Sequence, residues 1–340
     1  MKAAVFYKGG EPLKIETVDD PTPEATEVVI EVKHCGICGT DLHATEGHAP
    51  ASEQGVIMGH EFAGEIVAMG KDAPAGWKMG DRLTSLPMLG CGKCVPCLTG
   101  KPWTCSERRI LGGEVPGGFA QFVKVDLNQA IKLPESVNWK EGALVEPLSI
   151  GLHGVRRAGN MEGKNVLIVG GGPIGVATAL WVKFFGARKV VVSELDPGRA
   201  QMSLKYGATD LIDANGDVGA QFTEICGSPP DFIFECVGVP GMIMSCLAIA
   251  PHRCTVVVVG FCTQPDTIFP ALAMANEITM KFVIAWEKQD FQFVVDMIAS
   301  DRINVEGLVT DIVSFDQFPT AFEALRKPDD QVKILLDPFA

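Results

Sequence analysis

The segment from Asn165 to Gly186 reads NVLIVGGGPIGVATALWVKFFG. Asn165 to Val169 is a short, nearly continuous apolar run, the pattern of a strand buried on both faces. Gly170, Gly172, Pro173, Ile174 and Gly175 follow, then a helical run with Pro in its first turn and Gly186 behind it. A strand, a G-x-G-x-x-G turn and a helix in that order leave the chain few options. The first glycine makes the tight turn, the second lets a pyrophosphate approach the backbone, and the third packs helix on strand. The helix N-terminus then faces phosphate with its positive end. Glu194 closes the next apolar run, 19 residues after Gly175. A carboxylate there accepts hydrogen bonds from the adenosine ribose hydroxyls and repels a 2′-phosphate, which favours NAD over NADP. Arg199, close behind it, softens that preference.

The alternation continues. Pro197 to Tyr206 reads as a second helix, and Phe232 to Glu235, Thr255 to Gly260 and Ile278 to Ala285 read as further strands with helical stretches between them. Strands alternating with helices predict a doubly wound α/β domain with a parallel sheet, over residues 150–285. Residues 1–149 are different. They hold short β-type runs (Lys2 to Phe6, Glu27 to Lys33, Gly64 to Ala68, Ala120 to Val125) among Gly and Pro, which predicts an irregular, mostly antiparallel β domain. Val332 to Leu336 reads as β again, so residues 286–340 are expected to return to the first domain.

Cys91, Cys94, Cys97 and Cys105 lie in GCGKCVPCLTGKPWTC. Four thiolates so close in sequence can converge on one tetrahedral ion, and zinc suits four sulfurs. A ferredoxin-type cluster run closes with a three-residue gap and Pro, whereas here the last gap is seven residues and Ser106 follows. Such a site has no spare ligand position, so its zinc is structural.

The net charge of −13 argues against nucleic acid as a partner. The longest apolar runs are too short to span a bilayer, and the first residues lack the apolar core of a signal peptide. Of the 11 cysteines, Cys226, Cys236, Cys246, Cys254 and Cys262 sit in apolar surroundings and read as buried thiols. That usage suits a reducing compartment, and the expected location is the cytoplasm.

Three further phrases, HCGICGTDLH, GHEFAG and ALVEPLSIGLHGVRR, complete a pattern. With the cysteine lobe and the glycine turn they resemble the zinc-dependent medium-chain alcohol dehydrogenases, in the expected order over essentially the whole chain. The finer likeness is to microbial 2,3-butanediol and polyol dehydrogenases. The resemblance implies a GroES-like catalytic domain carrying the zinc lobe, beside a Rossmann cofactor domain. It implies a second, catalytic zinc held by Cys38 and His60 with a carboxylate from Glu61 or Glu146, and three protein ligands leave a position for substrate. Asp41 matches the acid that orients the ligand histidine. Thr40 matches the hydroxyl beside the substrate oxygen, His43 the relay base, and Lys333 the basic residue near the pyrophosphate. A Cys35–Cys38 redox pair is the rival reading, and it leaves His60 and Glu61 unexplained. His34, His48, His153 and His252 are expected to be structural.

The implied reaction is reversible hydride transfer between a secondary alcohol or diol and NAD, giving a ketone. The proton leaves through Thr40, a cofactor ribose hydroxyl and His43. A polyol or amino-alcohol dehydrogenase is the alternative. Ala44 after His43, and KFVIAWEK without an Arg, depart from the polyol pattern. Ile57, Phe119, Ile284 and Trp286 are expected to supply apolar pocket walls. A non-catalytic NAD-binding sensor should have lost one of Cys38, Thr40, His43 or His60, and a zinc-free reductase its zinc ligands. The apolar strand at Ile278 to Ala285 would be a liability if left open, so a homodimer or homotetramer is expected.

Overall fold

The computed structural model describes residues 1–46, 55–327 and 331–340. The chain divides into two compact units, Met1–Glu146 with Glu287–Ala340, and Pro147–Trp286.

In the second unit six strands form one parallel sheet. Their order is Asp210–Asp213, Lys189–Glu194, Asn165–Val169, Phe232–Glu235, Thr255–Val258, Thr279–Phe282. Every residue of Asn165–Val169 is buried, as its unbroken apolar run requires. From that strand the order runs outward in both directions. A switch point therefore falls at its C-terminal end, where the glycine turn begins. Leu167, Val191, Phe222, Ile233 and Val256 form the core, and each fully buried apolar side chain contributes about 1.5–3 kcal/mol. The edge strand is shorter than the sequence suggests. It stops at Phe282, and Ala285 takes a φ of 61°, outside any strand conformation. Lys281 on this edge donates to the carbonyls of Arg157 and Ala158, capping the C-terminal end of the helix Val145–Ala158.

The first unit is built on antiparallel strands. Glu27–Gly36 is its central strand and pairs with Glu61–Met69, Phe122–Asp126 and Lys333–Leu336. The expected strand at Ala120 begins only at Phe122, and Ala120 makes an isolated bridge to Ala3. Lys2–Phe6 pairs with Lys14–Thr17 and Val56–Ile57 in a smaller sheet. Ile30, Val32, Phe62, Phe318 and Phe322 fill the core together with Phe119. Phe119 is fully buried and meets Phe318 edge-on at 4.8 Å, so it belongs to this core rather than to a substrate wall. Among the described residues no helix is long and apolar enough to cross a membrane.

Candidate active site

Sheet register assembles the first cluster. Gly36 ends the central strand opposite Glu61 on one side and Leu335 on the other. Cys38 follows that strand, and His60 immediately precedes the neighbouring one, which Glu61 opens. Ligand atoms of Cys38, His60 and Glu61 lie within 4.8 Å of one another. Asp41 Oδ1 stands 3.4 Å from His60 Nδ1, and its Oδ2 accepts from the Cys38 N–H at 3.0 Å. Asp41 thus steadies two of the three groups and leaves His60 Nε2 free to ligate. Burial opposes charge on His60, but Asp41 and Cys38 outweigh it and hold its pKa well above the ordinary value. Sulfur, imidazole and carboxylate in this arrangement suit zinc with an open position. Thr40 Oγ1 lies beside them, 3.2 Å from Cys38 Sγ and 3.5 Å from His60 Nε2.

Lys333 is found at Glu61. The two side chains are 3% and 1% exposed, and Lys333 Nζ donates to both carboxylate oxygens, at 2.8 and 2.7 Å, and to the Ile37 carbonyl at 2.9 Å. An ammonium has three N–H donors, and all three are used. Gly36 makes the pair possible, because a Cβ there would stand 2.2 Å from Glu61 Oε2. Glu146 is buried in the first turn of its helix and lies outside the close group of three ligand atoms. Burial pushes its pKa up to about 8, with His60 pulling it down and Glu61 pushing it further up.

His43 shares the helix Gly39–Ala44 with Thr40; its side chain is partly exposed and its Nδ1 is 3.4 Å from Glu46 Oε1. Cys35 is fully buried, and burial raises its thiol well above the usual range. Every cysteine is an unpaired thiol, and Cys236 and Cys262 are only half-buried, contrary to expectation. His252 is an exposed partner of Glu277 at 3.8 Å, and His153 is buried. His48 lies outside the described residues.

The sulfurs of Cys91, Cys94, Cys97 and Cys105 converge within 4.8 Å, with Cys94 and Cys97 at 3.4 Å. The N–H groups of Cys91 and Glu107 point at Cys105 Sγ, at 3.5 and 3.3 Å. Gly90 packs so closely that a Cβ would meet Cys97 Sγ at 2.3 Å. Backbone N–H groups of Lys93 and Cys94 lower Cys91 to about 7. At Cys94 the Cys97 N–H acts in the same direction, but desolvation and the three neighbouring thiols prevail and raise it to about 12. Four sulfurs packed this way resist joint ionisation, and a bound cation relieves that.

The glycine turn has the shape the sequence predicts. Gly170 has φ of 100°, Gly172 caps the helix Pro173–Phe184, and a Cβ at Gly175 would stand 1.8 Å from the Gly170 carbonyl oxygen. Pro173 and Ile174 open that helix. Glu194 Oε2 accepts from Gly171 N–H at 2.6 Å. Its Oε1 accepts from the N–H groups of Leu195 and Asp196 and from Arg199 Nη2 at 2.8 Å. Arg199 Nε is buried with no partner among the described residues, an N–H left over at the edge of a cradle that fits a dinucleotide. One contributor escaped the sequence reading. Glu235 is 1% exposed and accepts from Val237 and Gly238 N–H groups at 2.7 and 2.9 Å, fixing the loop against which Gly170 packs. An acid closing the buried run FIFE was its only signal.

Comparison with known proteins agrees with this geometry. Residues 24–135 match the alcohol dehydrogenase GroES-like domain, and residues 173–300 match the zinc-binding dehydrogenase family. Sorbitol dehydrogenase of Bacillus subtilis (strain 168) is 32% identical over 346 residues, covering 99% of this chain and 97% of that one. The chain belongs to the zinc-dependent medium-chain alcohol dehydrogenase family. The (R,R)-butanediol dehydrogenase of the same organism is also 32% identical, over 99% of this chain and 100% of the relative. The rspB alcohol dehydrogenase structure from Escherichia coli CFT073, complexed with NADH, superposes with a TM-score of 0.90 at 28% identity, covering 99% of each chain. This member is an alcohol dehydrogenase of the zinc-binding kind, built from a GroES-like domain and a Rossmann domain with a parallel sheet.

Proposed function

We propose that the protein interconverts a secondary alcohol or diol and its ketone, with Cys38, His60 and Glu61 holding the catalytic zinc. The observation that carries this reading is the Thr40 hydroxyl, 3.2 and 3.5 Å from two of those ligands. An alcohol oxygen placed beside them has a partner for its proton. When bound, zinc supplies a Lewis acid that lowers the pKa of the alcohol, and NAD supplies the hydride acceptor. Thr40 accepts the proton as it leaves. His43, three positions along the same short helix and partly exposed, passes it to solvent. Asp41 keeps His60 in its ligating orientation. Glu194 meets the adenosine ribose, with Arg199 beside it. The four-cysteine lobe takes the second, structural zinc.

Relatives that act on sorbitol and on butanediol frame the substrate question. Ala44 in place of an aromatic favours the less polar alcohol. A panel of secondary alcohols, diols, polyols and amino-alcohols assayed with NAD tests it. We expect the highest kcat/KM on a secondary alcohol or vicinal diol, and a clear preference for sorbitol would replace this reading with the polyol one.

Assembly into a homodimer or homotetramer is part of the same proposal. The edge strand Thr279–Phe282 exposes Phe282 at 69%, and Ile284 beyond it is 59% exposed, an open apolar edge that a second copy would cover. The unpaired thiols support a reducing compartment such as the cytoplasm.

A further inference from the structure

The helix Gly39–Ala44 carries both Thr40 and His43, yet it has only six residues. A helix so short is not stable by itself, so its ends depend on tethers. Cys38 and Asp41 fix its start. Its end is held from the far end of the chain. Arg326 follows the helix Phe318–Ala324 and donates from Nη1 to the Leu42 carbonyl at 3.0 Å and from Nη2 to Thr45 Oγ1 at 2.8 Å. Leu42 O also accepts from the Thr45 N–H at 3.2 Å, and the Arg326 cation added at this last-turn carbonyl suits the helix dipole. Thr45 passes the restraint back, because its hydroxyl lies 2.9 Å from the Leu42 carbonyl and 3.1 Å from that of Asp41.

Arg326 is itself fixed. Glu323 accepts from its Nε at 2.7 Å and its Nη2 at 3.0 Å, and the guanidinium stands 5.8 Å from the centre of the Phe322 ring. Glu46, the partner of His43, also feels the Arg326 charge. Arg326 makes four hydrogen bonds spread over a planar fork, one more than the three a lysine ammonium can donate.

We propose that Arg326 is a positioning residue for proton transfer, clamping Leu42 and Thr45 so that Thr40 and His43 keep their places relative to Cys38 and His60. The proposal rests on the reading of Thr40 and His43 as the proton path. The clamp acts on the helix and touches neither substrate nor cofactor.

The test uses Arg326→Met, which keeps the stem over Phe322, with Arg326→Lys, His43→Ala and the Arg326→Met/His43→Ala double variant. Zinc content, NAD binding, melting temperature, kcat, KM and the solvent deuterium isotope effect on kcat are measured on each. Arg326→Met should keep both zinc ions and NAD binding, lose kcat by about tenfold with little change in KM, and show a larger solvent isotope effect. Arg326→Lys should recover part of the loss. On the His43→Ala background Arg326→Met should cost less than about twofold, because the relay it positions is already gone. A full tenfold loss on a slowed His43→Ala background overturns the clamp and leaves the relay standing. Wild-type kcat in His43→Ala overturns the relay reading and the clamp with it. If Arg326→Met does not fold, Arg326→Lys decides: a kcat loss at wild-type melting temperature supports the clamp, and wild-type kcat refutes it.

Discussion

Replacing Lys333 by Met would leave Glu61 as a buried carboxylate with its cation removed. Both side chains are almost wholly buried, and two hydrogen bonds of 2.7 and 2.8 Å join them. Breaking such a pair from one side costs about 3–5 kcal/mol, most of it the desolvation of the remaining charge. The unit that holds the pair has roughly 200 residues, for which each kcal/mol moves the melting midpoint by about 2–4 °C. Lys333→Met should therefore lower the midpoint of that unit by about 6–20 °C in metal-depleted protein. Zinc at Cys38 and His60 would offer Glu61 a replacement cation, so the loss should shrink when zinc is restored. A Lys333→Met/Glu61→Gln double variant should recover much of the stability, since no uncompensated charge stays buried. Calorimetry of the three proteins with and without zinc is the assay. A midpoint within about 2 °C of wild type in the metal-depleted single variant would refute this account. If KM for NAD rose while the midpoint stayed put, Lys333 would belong at the pyrophosphate instead.

Elemental analysis should find two zinc ions per chain, and iron with a visible absorbance band would contradict both sites. Cys94→Ser should lower thermal stability through the lobe, because zinc bound to its ligands contributes folding free energy directly, whereas His60→Ala should abolish turnover with little change in melting; the reverse pattern would exchange the roles of the two sites. Glu194→Ala should raise KM for NAD by about tenfold or more, as a charged acceptor is worth about 1.5–3 kcal/mol per hydrogen bond. It should also narrow the preference over NADP, and equal kcat/KM for both cofactors in the wild type would show that Arg199 cancels the carboxylate's repulsion. Light scattering should give a dimer or tetramer at micromolar concentration; a single-chain mass would mean that the Phe282 edge stays open.

The cofactor unit was legible because its information is local. Asn165–Val169, the turn at Gly170 to Gly175 and the acid at Glu194 follow one another, and each residue's task is set by its immediate neighbours. The misread ends have local causes too: nothing in the apolar composition of Ile278 to Ala285 announces the left-handed φ at Ala285. The catalytic cluster is another matter. Cys38 and His60 are recognisable by residue type, but their setting depends on which strand lies beside Glu27–Gly36 and in what register. Lys333 is 272 residues from Glu61, and Arg326 is 284 from Leu42. A lysine in a β run reads as an edge-strand charge until register sets it across Gly36 from a buried carboxylate. Gly36 itself reads as an ordinary strand end until the missing Cβ is seen to make room for Glu61 Oε2. An unpaired charge there would be intolerable, so burial turns a choice of partner that sequence leaves open into one with a measurable cost. That cost makes the Lys333–Glu61 pair the place where the fold and the metal site can be perturbed together and told apart.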